Sequence, residues 1–64
     1  MNNLPQYFVV YCEQREGYLM DNGFFSHNVE EAKIFHKAAN AKRSAWHYGA
    51  TVIELKYKHP EKHL

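Results

Sequence analysis

The sequence is poor in the residues that cross-link very small proteins. Its 64 residues include a single cysteine, Cys12. One cysteine excludes an intramolecular disulfide, and it also excludes a structural zinc site built on a CxxC pair. A chain of this length forms one small domain, whose core typically contributes only about 3–5 kcal/mol. We therefore expect a single domain over residues 1–64, with a core at about residues 7–57 and a frayed polar tail at about residues 58–64.

Long apolar segments are also missing. No apolar run approaches the roughly 20 residues that a membrane-spanning helix requires. The first residues, MNNLPQ, have neither the basic start nor the apolar stretch of a signal peptide. A lone thiol without a secretion signal is typical of a reducing cytoplasm. The sequence therefore predicts a cytoplasmic protein with no membrane partner.

A strong excess of either charge is absent, because the formal net charge is +1. The distribution is less even. Residues 1–32 carry one Arg and five acidic residues, a net charge of −4, whereas residues 33–64 carry seven Lys or Arg and two Glu, a net charge of +5. This asymmetry permits a basic face, although the halves of a chain need not be faces of a fold. The charge alone identifies no partner.

Aromatic side chains, in contrast, are abundant: five Tyr, four Phe and one Trp. The segment YFVVYCE, residues 7–13, is rich in aromatic and β-branched residues, and both of its alternating sets are apolar. This pattern predicts a strand that is buried on both faces at the centre of a sheet. QREG, residues 14–17, is suited to a hairpin connection, so that YLM, residues 18–20, returns as the second strand.

A turn and a helix start follow the second strand. In DNG, residues 21–23, Asn and Gly tolerate positive φ at low cost. We expect Phe24 and Phe25 to fold back onto the core. Asn28 is predicted to cap a helix, because its side chain can accept a hydrogen bond from the first turn, and Glu31 is predicted to reach back to the cap.

Residues 29–48 contain no Pro or Gly and include five Ala, which are strong helix formers. Gly49 is the predicted C-cap. One helix of about 20 residues would be roughly 30 Å long, which exceeds the roughly 23 Å of a seven-residue strand. We therefore expect a break near Phe35–Lys37, with a short helix before a longer one. The spacing predicts an inner face of Ile34, Ala38, Ala41, Ala45 and Tyr48.

TVIELKY, residues 51–57, is predicted as the last strand, with Ile53 on its core face. The resulting order is ββαβ. It predicts an α+β fold in which a small antiparallel three-stranded sheet, in the order 2-1-3, is packed on one face by the helix.

The chain resembles small proteins encoded by bacteriophages and prophages. The resemblance rests on GYL after a strand, then FFSHNVEEAKIF, alanines at helical spacing, and finally GATVIEL. It covers about residues 7–57. The resemblance implies a phage or mobile-element origin, and hence the cytoplasm of a bacterial host, but it carries over no catalytic residue.

Five histidines raise the question of a metal site, but their spacings are unconvincing. His59 and His63 are separated by Pro60, and His36 and His47 lack a third ligand. No serine lies in a nucleophile elbow, and no Gly-rich loop offers a phosphate cradle. We therefore predict a non-enzymatic protein with no metal site, no cofactor and no small-molecule substrate.

The predicted sheet leaves one face without a helix. If Phe8 and Val10 face the helix, then Tyr7, Val9 and Tyr11 face away, and tyrosine suits interfaces. Two alternatives stay open: a loop such as the Phe24–Phe25 turn covers this face, or the strand is inverted. The sequence predicts an accessory protein that binds a host protein or a second copy of itself. Inhibition of a host or defence factor is one form that this binding can take.

A small module that binds single-stranded nucleic acid is the second hypothesis. Aromatic side chains on a sheet with nearby lysines are typical of surfaces on which bases stack. Four cationic residues, Lys33, Lys37, Lys42 and Arg43, are predicted to spread around the helix. We take Lys42, Arg43 and Trp46 as the candidate binding residues on the helix.

Overall fold

A four-stranded antiparallel sheet with one α-helix on a face forms the architecture. The computed structural model describes residues 6–55. The strands lie in the order β3-β2-β1-β4, and all neighbours are antiparallel. In chain order the elements are β1 (Tyr7–Cys12), β2 (Gly17–Leu19), β3 (Phe25–Ser26), a 3₁₀ turn (Val29–Glu31), α1 (Ala38–Tyr48) and β4 (Thr51–Leu55).

The predicted α+β class and antiparallel sheet are confirmed, but the sheet has four strands instead of three. The extra strand, β3, is two residues long and pairs with β2. It forms because the chain reverses at Gly23, whose φ is 88°, and Met20 N–H donates to Phe24 O at 2.8 Å. The pairing that starts there carries Phe25 and Ser26 alongside β2.

β1 is the central strand, as its apolar pattern predicts. It pairs with β4 over its length, from Tyr7 opposite Leu55 to Tyr11 opposite Thr51, and with β2 only at Tyr11 and Cys12. The first half of β1 therefore has backbone groups on its β2 side that β2 does not reach.

An extended segment of residues 32–37 uses those backbone groups. Phe8 and Phe35 exchange two N–H···O bonds of 2.8 Å, and Lys33 N–H donates to Leu19 O at 2.8 Å. The predicted helical break is present and wider than expected. A 3₁₀ turn replaces the short first helix, and Ile34 precedes α1 instead of lying on its inner face.

Asn28 caps the 3₁₀ turn, accepting a hydrogen bond from Glu30 N–H at 2.9 Å. Glu31 does not reach back to the Asn28 backbone. Instead, Ser26 Oγ–H donates to Glu31 Oε1 at 2.6 Å, and Asn28 N–H donates to Ser26 Oγ at 3.0 Å. The serine hydroxyl therefore relays the contact that a capping box would make directly.

The core lies between α1 and the sheet. Ala41 and Ala45 are buried on α1, where their small side chains bring the helix close to the strands. Gly49 ends the helix in the left-handed region, with φ 64°, and Ala50 N–H donates to Ala45 O at 2.7 Å, which is the Schellman pattern. The buried cluster consists of Phe8, Val10, Leu19, Phe35, Ala41 and Ala45.

The prediction for the core face of β4 is wrong. Val52 packs against the core cluster, whereas Ile53 is 36% exposed. The register explains the difference, since Val10 is opposite Val52 and Val9 is opposite Ile53. Directly opposed residues share a face of the sheet, so Ile53 lies on the side away from α1. Among residues 6–55, no helix has the length and apolar character needed to cross a membrane.

Candidate binding surfaces

The sheet face away from α1 is the first candidate surface. Cross-strand partners share a face, and the register pairs Tyr7 with Leu55, Val9 with Ile53, and Tyr11 with Tyr18. We call these six residues the open sheet face. None of them carries a charge. Phe8 and Val10 face the helix, because both belong to the buried cluster beneath α1. The inverted orientation of the strand, which the sequence left open, is therefore wrong.

Three tyrosine rings lie on the open sheet face. The Tyr11 and Tyr18 rings meet edge to face, with centroids 4.9 Å apart. The Tyr7 ring meets His36 in the same way at 5.6 Å. Val9 is 0% exposed, so it cannot touch a partner, and its assignment as a binding residue is wrong.

The Phe24–Phe25 turn does not fold back as a unit. Phe25 packs against the core cluster, and its ring meets Tyr48 at 5.4 Å. Phe24 is 69% exposed, in contrast to the prediction. Its backbone explains this position, because Phe24 N–H donates to Asn22 Oδ1 at 2.9 Å and so belongs to the turn.

A basic groove is the second candidate surface. It is an open concavity of about 470 Å³ between residues 33–37 and the side of α1 that carries Asn40, Arg43 and Ser44. Lys33, Lys37 and Arg43 bring positive charge to its lining, and among residues 6–55 no acidic residue contributes to that lining. We call this feature the basic groove.

The extended segment gives the basic groove a fixed wall. Phe35 is buried and is bonded through its backbone to Phe8. The Lys33 ammonium lies 5.1 Å from the centroid of the Phe35 ring, within the range of a cation–π contact. One of the three cations is therefore held against the wall.

The structure separates the candidate residues on α1. Arg43 lines the basic groove, whereas Lys42 and Trp46 do not. Trp46 is 84% exposed. Lys33 and Lys37 precede α1, so the prediction that all four cations spread around one helix is wrong. The groove is not predicted from the sequence, because the sequence pattern places Lys33 and Lys37 on a helix. The signal that could have indicated it is the lack of acidic residues from 32 to 53.

The histidines of the described residues do not form a common metal site. The His36 ring contacts Tyr7, and the His47 ring contacts Tyr48 at 4.9 Å. In the described part of the chain, no group of three His, Cys, Asp or Glu could hold a metal ion. His59 and His63 lie outside the described residues, so the prediction about that pair is untested.

The chain matches no protein-family model, no curated protein and no solved structure. The resemblance to phage-encoded proteins therefore stays a prediction. The open sheet face and the basic groove are the features of the molecule that bear on its function.

Proposed function

We propose that this chain is a non-enzymatic binding protein that associates through its open sheet face, with a second copy of itself as the partner. The observation that supports the proposal is an apolar and aromatic sheet face with Ile53 36% exposed. Tyrosine and aliphatic side chains without charge are typical of the centre of a protein interface.

The lack of charge on the open sheet face favours self-association. In a two-fold dimer the same patch meets itself, so a charge near the axis would lie close to its own copy. A patch of three tyrosines, Ile53 and Leu55 avoids that repulsion. Apposition of two such faces would also enlarge the small apolar core that a 64-residue chain can form alone.

The non-enzymatic part of the proposal is supported by the state of the only thiol. Cys12 is free, but it is only 2% exposed. A reactive cysteine needs access and an electropositive setting, so this thiol behaves as a small apolar core residue. A phage-type accessory role in a bacterial cytoplasm fits a protein that acts by binding.

Sedimentation equilibrium of the wild-type chain tests the proposal, together with Ile53→Lys. A lysine at this position would place an unpaired charge in an uncharged interface, and on an edge strand it is compatible with folding. We expect a dimer for the wild type and a folded monomer for Ile53→Lys.

Trp46→Lys is the matched control, because Trp46 is also a large exposed apolar residue but lies on α1. It should leave the dimer intact. A wild-type chain that is monomeric over the accessible concentrations would reject the proposal, and so would equal dissociation by both substitutions. Circular dichroism of each variant distinguishes dissociation from unfolding.

A further inference from the structure

We infer that the basic groove binds the phosphate group of a nucleotide unit, most favourably within a single-stranded nucleic acid. This site is separate from the self-association proposed above. Its cations are contributed by two different elements, the extended segment and α1, which the fold brings together around about 470 Å³.

The charge that lines the basic groove is positive and comes from both of its walls. Lys33, Lys37 and Arg43 line the groove, and in the part of the chain that the structure describes no acidic side chain does so. Residues 32–53 contain four Lys or Arg and no Asp or Glu, so three of these four cations converge on one site. An uncompensated cationic concavity attracts anions.

The side chains that line the basic groove favour phosphate over other anions. The guanidinium of Arg43 can donate two parallel hydrogen bonds to a phosphate, and the lysines can neutralise its charge as point charges. Asn40 and Ser44 add neutral polar groups on the α1 side of the groove. A phosphate has enough acceptor oxygens to use both walls at once.

Trp46 offers a surface on which the base of a nucleotide could stack. Trp46 is three residues beyond Arg43, so it lies on the neighbouring part of the helix surface, and its ring is 84% exposed. An exposed aromatic ring one helical turn from a cation of the groove is suited to base stacking, which is largely independent of sequence. A nucleotide unit offers both the phosphate and the base.

Fluorescence titration of the full chain provides the test, because Trp46 is its only tryptophan. One arm uses a single-stranded oligothymidylate of about eight nucleotides, and the other uses thymidine 5′-monophosphate. We expect quenching in both arms. Tighter binding of the oligomer, with affinity that falls as salt rises, assigns the phosphate to a strand; equal affinity in the two arms assigns it to a free nucleotide.

Arg43→Gln and Lys42→Gln form a matched pair, since both remove one positive charge from adjacent exposed positions of α1 and only Arg43 lines the groove. We expect Arg43→Gln to weaken binding about tenfold, the cost of one bidentate charge-assisted contact, and Lys42→Gln to weaken it less than twofold. Equal losses would overturn the inference, because they would indicate attraction without a site.

Two further results would also overturn it. One is the absence of quenching and of amide chemical-shift changes at residues 33–43 in both arms at low salt. The other is a polyglutamate peptide that binds as tightly as the oligonucleotide, since that would make the groove a site for acidic protein segments. Ile53→Lys should leave oligonucleotide binding unchanged, so failure here is distinguishable from failure of self-association.

Discussion

Gly17 lies at a position where the sheet has little room for a side chain. A Cβ atom at position 17 would lie 3.0 Å from Ser26 O and 3.2 Å from Phe25 Cβ. The left-handed residue of the hairpin turn is Glu16, with φ 53°, and not the glycine. Gly17 is therefore needed for the close approach of β3 to β2.

We predict that Gly17→Ala lowers the free energy of unfolding by about 1–3 kcal/mol, because backbone atoms of β3 must move to admit a methyl group. Urea denaturation measures the change. Glu16→Gly is the companion variant and should raise stability by a few tenths of a kcal/mol or more, since it relieves the left-handed strain. A neutral Gly17→Ala would contradict the crowded β2–β3 contact.

Asn28 has a smaller role than a cap of a long helix would have. Its side chain accepts one hydrogen bond, from Glu30 N–H, in a three-residue 3₁₀ turn. We predict that Asn28→Ala destabilises the fold by about 0.5–1 kcal/mol. Asn28→Asp keeps the acceptor and should be close to the wild type in a thermal melt. An unchanged melt for Asn28→Ala would exclude this cap as a stabilising contact.

The start of α1, in contrast, lacks a side-chain cap. Its N-cap is Lys37, with φ −123° and ψ 129° and no side-chain hydrogen bond to the helix. These angles suit a serine, whose hydroxyl could accept from a first-turn N–H. We predict that Lys37→Ser raises the free energy of unfolding by about 0.5–1 kcal/mol in urea denaturation.

Lys42→Ser is the control for Lys37→Ser, because position 42 is inside the helix, where serine is a poorer helix former than lysine. It should be neutral or slightly destabilising. A Lys37→Ser variant that is no more stable than Lys42→Ser would show that the helix does not begin at this residue.

Local signals predict some of these elements and not others. The apolar alternation of β1, the cap at Asn28 and the glycine at position 49 each depend on a few neighbouring residues, and the structure confirms all three. Residues 32–37 are different, because their extended conformation is stabilised by backbone bonds to Phe8 and Leu19, which are distant in sequence. Helix propensity cannot detect such partners.

The orientation of β4 has a similar explanation. Val52 and Ile53 are both apolar and β-branched, so alternation alone does not decide which of them faces α1. The register with β1 decides it, and a shift of one residue would exchange the two faces. The two alternating faces of β1 could therefore be predicted, whereas the choice of the open one, the share of β4 in it and the whole of the basic groove required the tertiary structure.

The molecule as a whole has two surfaces that adjoin at His36, which contacts Tyr7 and lines the basic groove. The open sheet face is uncharged and apolar, and the groove is cationic. This arrangement allows a dimer to form through the sheet while its grooves stay accessible on the helix side of residues 33–37. Self-association would then place two anion sites on one particle.

Self-association should make the melting temperature depend on protein concentration. If a dimer is the stable form, mass action makes the melting temperature rise with protein concentration. For a small domain with an unfolding enthalpy of about 0.7 kcal/mol per residue, the rise should be about 5 °C for each tenfold increase in concentration. Tyr7→Ser combined with Tyr11→Ser should abolish this dependence, because both rings lie on the open sheet face, and the variant should remain folded.

Val10→Ala is the control for the tyrosine pair, since Val10 is fully buried beneath α1. It should lower the melting temperature at every concentration, through loss of core packing, while the concentration dependence is retained. Ile53→Ser should behave like the tyrosine pair and not like Val10→Ala, because Ile53 lies on the open sheet face. If the tyrosine pair unfolds and Ile53→Ser keeps the concentration dependence, the association surface is elsewhere and the tyrosines serve the core.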